Sequence, residues 1–139
     1  MVTFTQYCKE YIAEHIDYYK GQSVYLCDLG SHITMDANMN GSLTYSAEEA
    51  REFLNAWSGD AADYWKWEKW MLGENLHNPF DNPEEYMVCM VIAGVDYLID
   101  QTIANIGMAE LWNEQVKLTS KIVRKIRDNV YNCDDIKLV

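Results

Sequence analysis

Residues 82–106 read NPEEYMVCMVIAGVDYLIDQTIANI and carry the strongest structural signal in the chain. Asn82 can cap a helix, Pro83 suits the first helical position, and Glu85 completes an N-x-x-E variant of the capping box. Ten residues without a charge follow, Tyr86 to Val95; then Asp96 and Asp100 return acids four apart, on one face. A helix apolar nearly all round is normally buried by neighbours on several sides. A membrane span takes roughly 20 apolar residues, which this uncharged run does not reach. The stretch therefore predicts the central helix of a soluble helical domain.

Other helices are legible on either side. Thr3 or Thr5 can cap a first helix to about Lys20, with Phe4, Cys8, Tyr11, Ile12, Ile16 and Tyr19 as its apolar stripe and Gly21 as its stop. Ser46-Ala47-Glu48-Glu49 is a capping box that starts a helix ending near Trp57. A third helix is expected from Asp60 to Leu72, followed by a loop to Asp81. Gly107 breaks the chain, and a last helix is expected from about Ala109 to Tyr131. In it Trp112, Val116, Thr119, Val123, Ile126 and Val130 form a heptad-like seam, fit to pack on a neighbour or a second copy. Residues 22–45 fit no helix of this length. VYLCDLG reads as a short strand or as the approach to a one-turn helix at Leu29–Met35, and NMNGS reads as a turn. The fold class is all-α, a single domain over residues 1–139 with about five helices around a buried central one. A short irregular or β-turn segment is expected at 22–45, and residues 108–131 form a basic C-terminal helix.

Length and composition agree with one domain that has a core: 139 residues, 49% hydrophobic and 13% aromatic. No basic region followed by an apolar run opens the chain, so no signal peptide is expected. Cys8, Cys27, Cys89 and Cys133 make no C-x-x-C pair and read as free thiols of a reducing cytoplasm. Charge is the outstanding number. The 22 acids and 11 bases leave −11, and the imbalance is uneven: net −12 over residues 1–109 and net +1 over residues 110–139. Such a surface repels nucleic acid and anionic membranes and attracts basic protein surfaces.

Several constellations invite a chemical reading. DANMNGSLTYSAE, from Asp36 to Glu48, approaches a calcium loop: Asp36, Asn38 and Asn40 match its first ligand positions, with Ser42 next in reach, and Gly41 supplies the turn. Its twelfth position, which should be a bidentate Glu, is Ala47, so an Asx-rich turn is the plainer reading. His15, His32 and His77 lack metal-ligand spacing, and no nucleophile elbow or phosphate loop is present; no enzyme and no cofactor are expected. YWKWEKW, Tyr64–Trp70, places aromatic rings around more than one face of its helix. The bland reading is a core helix wedged between others; the sharper one is that Trp67 or Trp70 projects as an anchor for a partner. Lys117, Lys121, Arg124, Lys125 and Arg127 decorate the last helix, where a C-terminal half favours bases anyway. Direct nucleic-acid binding is therefore not expected of them.

Some acids have structural reasons to exist: Glu48, Glu49, Asp60, Asp63, Glu84 and Glu85 stand in first turns, where they offset the helix dipole. The rest still outnumber all the bases. Glu10, Glu14 and Asp17 lie over about 10 Å of helix, where duplex DNA carries roughly six phosphates. One helix is too sparse to imitate DNA, so two acid-bearing elements side by side are needed.

YYKGQSVYLCDLGSHIT, NGSLTYS, AADYW and LHNPFDNPEEYMVCMVIAGVDYLI resemble an uncharacterised family of small acidic proteins of phages and mobile elements of Gram-positive bacteria. The likeness covers roughly residues 10–100 and leaves out the basic C-terminal segment. It implies no catalytic residues, but it implies a setting, since anti-CRISPR proteins are similar in size and charge. The resulting expectation is a phage-encoded inhibitor in the bacterial cytoplasm. It binds a host CRISPR effector of the Cas9 type through an acidic surface and blocks its nucleic-acid binding. Glu10, Glu14, Asp17, Glu52, Asp63 and Glu68 would meet Lys and Arg of the target, with Trp67 or Trp70 as apolar anchor. The alternatives are an EF-hand-like calcium module using Asp36, Asn38, Asn40 and Ser42, and a helical oligomer, a homodimer through the C-terminal helix.

Overall fold

The computed structural model describes residues 3–39, 46–56 and 83–136. Five α-helices run through them: α1 (Phe4–His15), α2 (Leu29–Met39), α3 (Ala47–Ala56), α4 (Pro83–Asn105) and α5 (Ser120–Val130). Two short strands, β1 (Ser23–Tyr25) and β2 (Gln115–Lys117), form an antiparallel ribbon. The architecture is mostly α around a central helix, as the sequence predicts. Helices α1, α2, α3 and α5 all pack on α4. Met87, Met90, Val91, Ala93, Val95, Leu98, Ile99 and Ile103 of α4 are buried, so burial goes round the helix as its uniform apolarity requires. Met87–Asn105 has the length and hydropathy of a membrane span although the uncharged run alone is too short; 56% of it is buried inside this fold.

Helix α1 forms where its residues say. The Gln6 N–H donates to Thr3 Oγ1 at 3.1 Å, which caps the start. Phe4, Cys8, Tyr11 and Ile12 bury one face; Ile16 and Tyr19 continue it through a 3-10 turn, Ile16–Tyr19. Gly21 then takes φ +86°, a conformation side chains resist. Close packing on α4 depends on Gly94, where a Cβ would lie 2.9 Å from Cys8 Sγ and 3.0 Å from Phe4 Cζ.

Over its described part, residues 22–39, the segment expected to be irregular is more regular than its composition suggests. β1 is followed by a 3-10 turn, Leu26–Asp28, and then by the eleven residues of α2, longer than the single turn considered. Leu29, Ile33 and Thr34 are buried. Tertiary packing on α4 makes up for weak local preference, and the Tyr19 hydroxyl donates to His32 O at 2.9 Å, fixing the approach.

The C-terminal segment departs most from expectation. A single helix over 109–131 is not found. After Gly107 (φ +78°) comes a 3-10 turn at Ala109–Leu111, then β2, and α5 begins only at Ser120. Residues 115–117 are recruited by β1, with Ser23 opposite Lys117, Val24 opposite Val116 and Tyr25 opposite Gln115. The ribbon is extended by Gly21 N–H to Leu118 O (2.7 Å), Leu118 N–H to Gln22 O (2.8 Å) and Cys27 N–H to Trp112 O (2.9 Å). Thr119 then caps α5 by accepting from Ile122 N–H at 3.3 Å. The seam is thereby split: Trp112, Val116 and Thr119 precede the helix, while Val123, Ile126 and Val130 are buried inside the protein. Those three side chains are taken up within the molecule, so this half of the seam packs on a neighbouring element, one of the two uses expected of it. Helix α3 starts at its expected capping box, with Glu49 N–H donating to Ser46 Oγ at 3.1 Å. The helix expected at Asp60–Leu72 lies outside the described residues.

Candidate functional site

The acids expected to bind a partner are distributed over several elements. On α1, Glu10 is half-buried and accepts from Gln6 Nε2 at 3.5 Å, and Glu14 is exposed. Asp17, in the following turn, is engaged: Arg127 Nη1 of α5 donates to both its carboxylate oxygens, at 3.0 and 3.1 Å. The pair is exposed, so it holds the two elements in register while contributing about 0–1 kcal/mol. Of the three expected acids on this helix and turn, Glu14 alone is both exposed and without a hydrogen bond or ion pair among the described residues.

Helix α3 presents the denser group. Its capped first turn exposes Glu48 and Glu49, and Glu52 follows one turn after Glu48, also exposed, with Ala50 buried beneath. Arg51 is exposed among them yet forms no ion pair among the described residues. Helices α1 and α3 each pack on α4, and α1 has its main contacts with α4 and α5. One pairing of acid-bearing elements that could imitate DNA, the first helix with the Glu48–Asp63 region, is not among the main helix contacts of the described residues, and residues 57–63 lie outside them. Asp63, Glu68, Trp67 and Trp70 lie outside the described residues.

Asp36 and Asn38, the first two candidate calcium ligands, stand on the helical backbone of α2. Residues two apart on a helix do not share a face, whereas a calcium loop turns to bring such positions together. Asn40 and Ser42 lie outside the described residues. His15 is stacked on Tyr11, ring centroids 4.1 Å apart, and its Nδ1–H donates to Tyr11 O at 2.8 Å. No group of three metal-ligating side chains occurs among the described residues. Cys27 and Cys133 are free thiols; Cys133 is buried with its sulfur 3.2 Å from Thr102 Oγ1.

One acid has surroundings that the sequence did not reveal. Asp96 is half-buried where α2 crosses α4, and a Cβ added at Gly30 would overlap its carboxylate and lie 3.1 Å from its Cα. Burial, and secondarily the nearby Asp28 carboxylate, push the Asp96 acid up to about 6. Its only sequence signal was position, as the first charge after the apolar run. Tyr11 is the second such group. Its hydroxyl is buried with no hydrogen-bond partner among the described residues, and burial with Tyr7 close by raises it to about 12.

No protein-family model, curated protein or solved structure matched the chain.

Proposed function

We propose that the protein acts by binding, as an inhibitor that presents exposed carboxylates to a cationic protein surface. The observation that carries this reading is the state of its acids. The chain has net charge −11, and Asp17 is the one carboxylate in an ion pair among the described residues. Exposed carboxylates left without internal cations keep their field available to a partner. The target class favoured is a host complex whose work requires a positively charged nucleic-acid channel, a CRISPR effector of the Cas9 type being the expected example. That choice rests on size, charge and the sequence resemblance. Within the molecule, α3 supports the reading better than α1, because Glu48, Glu49 and Glu52 are exposed together while Asp17 is held by Arg127.

The test is inhibition of DNA binding by a purified effector at rising salt. Affinity that falls steeply with ionic strength supports the proposal, since exposed charge pairs are screened; affinity indifferent to salt would sink it. Glu48→Lys with Glu52→Lys is expected to abolish inhibition, and Glu10→Lys with Glu14→Lys to weaken it less. Both leave the Asp17–Arg127 contact intact.

A further inference from the structure

The molecule also carries a face of opposite sign. Lys121, Arg124 and Lys125 lie at i, i+3 and i+4 on the exposed side of α5, opposite buried Val123, Ile126 and Val130. Lys117, four residues before Lys121, is exposed at the end of β2. Lys20, also exposed, is held beside this junction because its neighbour Gly21 donates to Leu118 O at 2.7 Å. None of the five forms an ion pair among the described residues. Arg127, by contrast, is occupied by Asp17.

The helix dipole does not account for these bases, and exposed Asp128, four residues after Arg124 and three after Lys125, is the acid that shares their side of α5. Lys and Arg are favoured in the last turn of a helix, against the negative end of the dipole. Because α5 starts at Ser120, Lys121, Arg124 and Lys125 fall in its first half, and its first turn holds no acid. Lys121 therefore adds charge to an end that is already positive. This arrangement costs stability unless something anionic lies against it. The ribbon carries an aromatic ring near Lys117. Tyr25 and Lys117 stand on its outer side, diagonal to one another across the two strands, while Val24 is buried behind; Tyr25 is 49% exposed.

We propose that Lys20, Lys117, Lys121, Arg124 and Lys125, together with Tyr25, form a binding face for single-stranded nucleic acid. The bases meet backbone phosphates and the Tyr25 ring stacks on an unpaired base, the combination by which single strands are held without sequence preference. A single strand supplies both partners at once, phosphates for the bases and an unpaired base for the Tyr25 ring; pairing with the acids of a second copy is read separately in the test below. The inference is independent of the acidic surface and does not need the inhibitor reading to hold.

Fluorescence anisotropy of a labelled oligothymidylate with the full chain tests it. Binding is expected at low salt, with log affinity falling against log salt at a slope of about −3, for roughly four phosphates neutralised. Arg124→Glu with Lys125→Glu should weaken binding at least about tenfold, and Tyr25→Ala about tenfold. Lys121→Glu separates function from folding: it should weaken binding several-fold while raising the melting temperature, since it places an acid in the first turn. Absence of binding by the unmodified protein at low salt overturns the proposal, as does binding that these substitutions leave unchanged. Concentration-dependent self-association that the substitutions abolish, without oligonucleotide binding, assigns the face to a second copy and overturns it as well.

Discussion

Helices α1 and α5 are near twins in construction and opposites in legibility. They have twelve and eleven residues, each is capped by a threonine, Thr3 or Thr119, and each lays its apolar stripe against α4. The start and stripe of α1 are local, so its sequence suffices to place them, although the α-helix ends at His15 and a 3-10 turn carries the stripe on to Tyr19, before the stop expected at Gly21. The start of α5 depends on residues 115–117 being taken by β1, whose own residues lie far earlier in the chain. A periodic pattern of apolar residues continues across a strand and a cap that it cannot register. Local signals place elements that are stable against local alternatives; a ribbon joined across the chain competes with a helix in a way no window of sequence records.

The largest effects should come from cutting each helix out of the shared core. Phe4→Ala on α1 should cost about 3–5 kcal/mol and Ile126→Ala on α5 about 2–5 kcal/mol in denaturant unfolding. If α5 were merely appended, the second would be far smaller and would leave the main transition in place. Next is Asp96, on the helix both share. Its acid is raised in the folded protein to about 6, so the folded state binds more protons than the unfolded state between about pH 4 and 6, and stability falls as pH rises through that window. Asp96→Asn should therefore stabilise at pH 7, on the order of 1–2 kcal/mol after allowance for solvent screening, with the gain disappearing toward pH 4. A gain equal at both pH values would show that the carboxylate's charge is not the cause.

The caps sharpen the comparison further. Thr3→Ala and Thr119→Ala should each cost about 1 kcal/mol. Hydrogen exchange should report the Thr119 change at the junction of β2 and α5, around Lys117–Ile122. Protection that runs unbroken from Ala109 to Tyr131 in the unmodified protein would restore the single long helix. Smallest is the bridge between the two regions: a double-mutant cycle of Asp17→Asn and Arg127→Gln should give about 0.2–1 kcal/mol of coupling, fading with salt.

Much of the fold could be read from particular residues. Asn82-Pro83 and the uncharged run announced α4, Ser46 and Glu49 announced α3, and Thr3 with the Phe4–Tyr19 stripe announced α1. Helix α2 was hidden because its eleven residues include a glycine, Gly30, a β-branched pair, Ile33-Thr34, and no cap written in sequence; it is held by what it packs against. The candidate site was less legible for the same reason. Acidity is a sum and is visible in composition, but which acids remain available is a matter of neighbours. Asp17 looks like Glu14 in sequence, and a contact with Arg127, 110 residues away, distinguishes them. The bases of residues 117–127 were explained by a helix end that moved once β2 was known.

The contacts of Lys9 and Thr5 with the C-terminal stretch have a consequence for how the chain is threaded. Lys9 Nζ donates to the carbonyls of Tyr131 and Cys133, and Thr5 Oγ1 accepts from Ile136 N–H at 3.1 Å. The first and last described turns are thus stitched into one seam, which makes the connectivity between them nearly a ring. A ring can be opened elsewhere, so a short linker from the residues after Ile136 back to Thr3, with new ends placed at Gly107, should yield a circular permutant that still folds. In the present order the seam joins residues 131 apart, so closing it carries the entropy cost of a long loop, which the permutant would remove.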